Sequence, residues 1–165
     1  MAIEVRPVRP EEYDEAGVVV VEAYREFVRP EESGWDEYLG RLGDVAGRAG
    51  HTLALVAVEG TRILGCVTLE LEARTEAESG EPLLTEEAHV RMLGVRAEDR
   101  RRGVGRRLME GCIDEARRAG KSLVTLHTTE RMTAAQRMYE SMGFERGQDY
   151  VFPDGFRLLG YERRI

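Results

Sequence analysis

Only two cysteines occur in the 165 residues, Cys66 in an apolar strand-like run and Cys112 on the apolar side of a helical one. Neither has a Cys-x-x-Cys partner or neighbours at metal-ligand spacing, which excludes a redox pair and a thiolate metal centre; both read as small buried hydrophobes. No apolar run approaches the ~18 residues a membrane helix needs, and the N-terminal MAIEVRPVRPEEYDEAG lacks the basic-then-apolar layout of a secretory leader. A reducing cytoplasm is the expected location, with no membrane partner. Positive charge is in deficit too, with 24 Lys and Arg against 31 Asp and Glu and a net charge of -7. That excludes the broad basic face of a phosphate-backbone reader, so nucleic acid is not an expected partner. Internal repeats and low-complexity segments are absent. What remains, 42% hydrophobic and 33% charged, is ordinary globular composition at the length of one domain, residues 1–165, as a monomer or homodimer.

Against this acidic background one stretch is strongly basic. Arg100-Arg101-Arg102-Gly103-Val104-Gly105-Arg106-Arg107 places five arginines in eight residues, between an apolar strand-like run and an amphipathic helix. A helix N-terminus already carries partial positive charge and unpaired backbone N–H groups, so arginines packed before it and into its first turn destabilise it unless an anion sits there. The stretch therefore reads as a phosphate site. Gly103 and Gly105 fit, because a residue without a Cβ lets the backbone approach a ligand and aim its amides at phosphate oxygens. A Gly-x-Gly alone also suits an ordinary strand-to-helix turn with solvated arginines.

The rest of the chain supplies the context. Residues 2–8 alternate as a strand, Pro10 with Glu11 and Glu12 opens a helix to about Phe27, and a loop over 28–35 leads to a second helix from an Asp36 cap to about Ala49. Tyr24, Phe27, Trp35 and Tyr38 gather around that loop, either as a binding rim or as plugs holding the helix pair to a sheet. From His51 the period becomes two, giving a hairpin that turns at Glu59-Gly60-Thr61. The acidic segment 72–87 reads as an exposed loop, residues 88–95 as a strand, and Gly103 to Ala119 as a helix whose stripe is Val104, Leu108, Cys112 and Ala116. A strand over 122–128, a helix over 133–142 capped by Thr133 and ended by Gly143, and two strands split by Pro153-Asp154-Gly155 complete the chain. The 88–128 unit predicts a right-handed crossover between parallel strands, with a ligand crevice near Val95 and His127.

Three motifs now stand in order: Leu93-Gly94-Val95, then Arg100-Arg101-Arg102-Gly103-Val104-Gly105, then Tyr139-Glu140-Ser141-Met142-Gly143-Phe144. Together they resemble the GCN5-related N-acetyltransferase (GNAT) superfamily, with its Q/R-x-x-G-x-G/A signature and a Y-x-x-x-G-F closing the next helix, and the element order matches over about residues 2–163. The resemblance implies a mixed α/β fold: a mostly antiparallel twisted sheet of about six or seven strands with about four helices, and a splayed parallel pair holding an acyl-CoA. It implies acetyl-CoA as co-substrate without a metal, its pyrophosphate on backbone N–H groups of roughly Arg101 to Arg106, its pantetheine along the backbones of Leu93 and Val95. The outer arginines are then expected toward the donor's 3′-phosphate. A nucleotide-binding Rossmann unit fits worse, because Leu108 stands where a third glycine is needed.

The resemblance also implies roles. Tyr139 takes the general-acid position, a phenol that stays protonated near neutral pH and can give its proton to the departing thiolate. Spacing alone would make it a core tyrosine beside Ala135, Met138 and Met142. The base position falls at His127, an imidazole that could take the ammonium proton directly or through water; a structural histidine fits as well, and Glu87 and His89 are alternatives. Where many members have asparagine, seven residues before the tyrosine, this chain has Met132. The implied chemistry is direct attack of an amine in a ternary complex, with backbone N–H groups near Val95 polarising the carbonyl and neither cysteine placed as a nucleophile. The acidic residues Glu72, Glu76, Glu78, Glu81, Glu86 and Glu87 fit a cationic amine acceptor, or simply a solvated loop. The alternative from another class is an acyl-CoA-binding sensor or partner-binding module without efficient turnover.

Overall fold

The computed structural model describes residues 2–73 and 82–165. Among the described residues five α-helices and eight strands follow one another as β1 (Glu4–Pro7), α1 (Tyr13–Arg25), α2 (Trp35–Gly43), α3 (Val45–Ala49), β2 (Leu53–Glu59), β3 (Arg62–Glu70), β4 (Glu87–Val95), α4 (Val104–Arg118), β5 (Leu123–Thr128), α5 (Thr133–Ser141), β6 (Glu145–Arg146), β7 (Tyr150–Val151) and β8 (Arg157–Arg164). The chain falls into two units, Met1–Leu69 with Met92–Cys112, and Glu70–Arg91 with Ile113–Ile165. Both β4 and α4 run from one into the other. Among the described residues no helix is long and apolar enough to cross a membrane.

In the first unit β1, β2 and β3 form an antiparallel meander. Gly60, with φ 63°, makes the tight turn of the expected hairpin. The core joins Ala16, Val19 and Val20 of α1 to Leu42 and Val45 and to Ala54, Val56, Val58, Ile63 and Cys66 of the sheet. That burial is what holds the β-branched Val18–Val21 run in helix, against its local preference. Tyr24 and Tyr38 pack against the same cluster, which makes them plugs of the helix pair.

Two details depart from the expected helices. The single helix from Asp36 to Ala49 is two, because Asp44 leaves helical geometry with φ -87° and ψ 64° and its carboxylate accepts from the Gly47 amide at 2.9 Å. Asp36 is not the cap; Gly34, left-handed at φ 86°, precedes the helix and Asp36 lies in its first turn. The break lies at a close helix crossing. A Cβ on Gly17 would stand 2.2 Å from the Gly43 carbonyl oxygen, so α1 and α2 touch backbone to backbone.

In the second unit β5 lies parallel to the first half of β4, Glu87–Val90 against Leu123–Leu126, and antiparallel to β8, which also pairs β6 and β7. This is the expected mixed sheet with one parallel pair. The parallel register ends at Val90 and Leu126, while β4 continues to Val95 and β5 to Thr128. The strand expected over 144–152 is two short pieces. Asp149 interrupts it by taking the Gly160 amide at 2.9 Å and pairing with Arg146 and Arg157, and Gly160 is needed because a Cβ there would meet the Gln148 carbonyl oxygen at 2.0 Å. Thr133 is the first helical residue of α5 and not its cap, which is Met132; Gly143, at φ 86°, ends the helix as expected.

Candidate active site

Each unit carries part of the predicted machinery. In the first, the second half of β4 leads into the arginine stretch. Met92 has φ 57°, a left-handed conformation that a non-glycine residue adopts only where the surroundings over-determine it. It lies two residues beyond the last parallel pair, and sequence carries no signal for it. Leu93 and Val95 are half-buried, whereas Gly94 between them is buried. A Cβ on Gly94 would stand 3.0 Å from the Val20 Cα and 3.1 Å from the Ala23 Cβ. Gly94 is thus a close-packing residue against α1, which leaves Leu93 and Val95 on the other side of the strand.

Beyond β4, Arg96 ties the chain back to β3, its amide donating to the Leu64 carbonyl at 2.9 Å and its Nε to that of Ile63 at 2.6 Å. A 3-10 turn at Ala97–Asp99 follows. Asp99 is buried and takes two guanidinium groups, Arg62 at 2.8 Å and Arg102 at 2.8 Å. Hydrogen bonding from Arg62 foremost, and then from Arg102, holds its carboxyl below the usual range despite the burial that opposes this. Arg102 also pairs with Glu59, and Arg100 with Glu26 at 2.5 Å. Arg100 and Arg102 of the arginine stretch are therefore engaged by carboxylates that pin the loop to its neighbours in the first unit.

The loop backbone is left-handed at Arg101, φ 64°, and at Gly103, φ 77°. The first backbone bond of α4 runs from the Arg107 amide to the Gly103 carbonyl at 3.0 Å, so the N–H groups of Val104 and Gly105 precede any intrahelical acceptor. A Cβ on Gly103 would meet nothing within 4 Å, so glycine is required there by φ and not by crowding from the protein. Val104 is buried, with Leu108, in the groove that Gly65 opens, and the exposed Arg101 and Arg106 flank it.

In the second unit β4 alternates Glu87, His89 and Arg91 with Ala88 and Val90. Such alternation ordinarily marks a solvated face; here all five are buried. His89 Nδ1 lies 2.8 Å from Thr125 Oγ1, and that hydroxyl donates to Glu87 Oε2 at 2.5 Å. The other Glu87 oxygen accepts from the Leu84 amide at 3.2 Å. His127, half-buried, has its ring 5.3 Å from that of His89. The three base candidates are thus brought together, Glu87 and His89 joined by Thr125, a residue that sequence reasoning missed and that only strand register reveals. Arg91 pairs with Glu70 at 3.5 Å, both buried.

Tyr139 lies on α5 and is buried between Phe144 and Tyr161, each ring 6.0 Å away. The Tyr161 hydroxyl donates to Glu140 at 3.0 Å; burial and then that carboxylate push its phenol above the usual value. Met132 stands at the head of α5, where its Sδ accepts from the Thr128 hydroxyl at 3.6 Å. Both cysteines are buried, and burial raises the Cys66 thiol to about 11. Of the acidic loop, Glu76, Glu78 and Glu81 lie outside the described residues.

Known proteins share this architecture. A model of the acetyltransferase (GNAT) family matches residues 9–144. Among solved structures, a GNAT-family acetyltransferase from Staphylococcus aureus Mu50 superposes with a TM-score of 0.74 at 15% identity, over 99% of both chains. The PaiA N-acetyltransferase of Thermoplasma acidophilum in complex with coenzyme A gives 0.72 at 15% over 100% of both chains, and YncA of Salmonella typhimurium with its cofactor acetyl-CoA gives 0.68 at 18% over 99% of this chain and 94% of that one. At such identities these likenesses carry the fold. No curated relative matches the chain. The family match runs from Arg9, ahead of α1, through α5, and the chain is therefore a member of the acetyltransferase (GNAT) family, an acyltransferase.

Proposed function

We propose that the protein is an acetyl-CoA-dependent N-acetyltransferase of the cytoplasm that moves an acetyl group to a primary amine by direct attack in a ternary complex. The observation that carries this reading is the loop before α4, where left-handed Arg101 and Gly103 lead into N–H groups that precede any intrahelical acceptor. This cradle fits a pyrophosphate: it offers backbone donors, the positive end of a helix dipole and a glycine whose missing Cβ leaves room for a ligand oxygen. The residues that would hold acetyl-CoA are the backbones of Gly103, Val104, Gly105 and Arg106, with Leu93 and Val95 along β4. The bound group supplies an activated acetyl thioester. Arg100 and Arg102, tied to Glu26, Asp99 and Glu59, support the reading as positioning residues for the loop.

Tyr139 is then the proton donor, and His127 with His89 the station that takes the proton from the amine. Both cysteines are buried, and the Cys66 thiol is held near 11, which supports transfer without an acyl-enzyme. The test is thiol release from acetyl-CoA across a panel of primary amines. Tyr139→Phe is expected to lower kcat by about a hundredfold, the size of one general-acid contribution, with CoA affinity within about twofold of the parent. Full activity in that variant overturns the assignment of Tyr139. Slow thioester hydrolysis indifferent to every amine would favour the acyl-CoA-binding sensor.

A further inference from the structure

We infer that Thr125 is a positioning residue that, held by Glu87, fixes the tautomer of His89 so that Nε2 is the nitrogen able to take a proton in the His89–His127 station. The inference rests on the N-acetyltransferase reading for the source of that proton, but its geometry stands on the second unit alone.

The geometry follows from strand register. Glu87 is opposite Leu123 and His89 is opposite Thr125 in the parallel pair, so Glu87, His89, Thr125 and His127 all lie on one face. A threonine hydroxyl has one hydrogen. Directed at Glu87 Oε2 over 2.5 Å, it leaves only lone pairs for His89 Nδ1 at 2.8 Å, so Nδ1 must carry a hydrogen. In the neutral ring Nε2 is then the basic nitrogen. Glu87 and His89 are 2% and 0% exposed, so bulk water does not scramble this order, and a satisfied buried network of this kind is directional.

The chemical consequence is a relay with one polarity, its hydrogens pointing from His89 to Thr125 to Glu87. His127 is the more exposed of the two rings and stands 5.3 Å from His89. When an ammonium acceptor gives up its proton to this station, one N–H bond breaks on the acceptor and one forms on an imidazole. A proton held at His89 Nε2 makes an imidazolium that faces the Glu87 carboxylate through the Thr125 hydroxyl. Glu87 stabilises that charge without itself taking the proton, as a carboxylate does behind a catalytic imidazole.

The test uses the full chain, labelled with 15N on its three histidines, His51, His89 and His127. Long-range proton–nitrogen spectra, assigned with His51→Gln and His127→Gln, report the tautomer of His89 directly. The parent is expected to show the Nδ1–H form, Thr125→Ser to keep it and the near-isosteric Thr125→Val to lose it. In the amine assay Thr125→Val is expected to lower kcat about tenfold to a hundredfold with the KM for acetyl-CoA within about twofold, and Thr125→Ser to restore the rate. An Nε2–H form in the parent, or an unchanged tautomer in Thr125→Val, overturns the relay. A shifted tautomer with an undiminished rate overturns its part in the reaction. If no amine is turned over by the parent, the N-acetyltransferase reading fails, while the spectra still decide the tautomer.

Discussion

Asp99 is the residue on which the arginine loop most depends. Its buried carboxylate takes both Arg62 and Arg102, and Arg102 continues to Glu59. Removing the charge leaves two guanidinium groups facing a neutral amide, so Asp99→Asn is expected to lower Tm by a few degrees and to weaken CoA binding several-fold. The pH dependence has a definite sign. The folded-state carboxyl titrates below its unfolded value, principally because of Arg62. Its contribution to stability is therefore complete above the ordinary aspartate range of about 3.9 and is lost as the pH falls through the lower, folded value. The stability gap between parent and variant, measured by thermal unfolding from pH 7 to pH 3, should narrow on acidification. A gap that stays constant would show that Asp99 acts by shape and not by charge.

At the scale of elements, the contact between α1 and α2 makes the sharpest claim. A Cβ on Gly17 would stand 2.2 Å from a backbone oxygen of Gly43, and backbone cannot step aside as a side chain can. Gly17→Ala is expected to cost about 1–3 kcal/mol, the usual range for overpacking, although alanine is the better helix former. A chemical-denaturation midpoint equal to that of the parent would mean that the helices separate freely. Neither Gly17 nor Gly43 stands out in the sequence, because a helix crossing joins positions that no local period relates. The hairpin at Gly60, the stripe of α4 and the end of α5 at Gly143 were legible, since turn chemistry and 3.6-residue periodicity act within a few residues. The breaks at Asp44 and Asp149 were not. Each depends on a carboxylate choosing one amide, Gly47 in one case and Gly160 eleven residues away in the other. The site divides in the same way. The loop, Tyr139 and His127 come from motifs and the resemblance they carry, while Met92 and Thr125 emerge only when β4 has a register and backbone angles.

For the whole molecule the question is how a chain of net charge -7 would bind the polyanionic donor proposed for it. At about 0.15 M ionic strength charges are screened beyond about 8 Å, so the overall repulsion fades and the loop's own groups decide the outcome. With Arg100 and Arg102 engaged by carboxylates, backbone N–H groups, fixed dipoles that salt does not displace, share the attraction with the exposed Arg101 and Arg106. CoA affinity is therefore expected to fall between about 0.05 and 0.2 M salt, but less steeply than for a site at which all five arginines meet the phosphates. Binding must also appear as stability, because a ligand that binds only the folded chain adds about 2.7 kcal/mol at a hundredfold excess over its Kd. For a protein of this size that corresponds to a rise in Tm of roughly 5–10 °C. Pantetheine, which lacks the pyrophosphate and the nucleotide, should give little of it. Gly103→Val should remove most of the CoA effect, since valine is strained at φ 77° and carries a Cβ into the space beside the cradle. Scanning calorimetry with CoA, with pantetheine and with neither ligand decides the matter. An equal shift from CoA and pantetheine would move the binding energy away from the arginine loop, and no shift from CoA would end the donor reading for this chain.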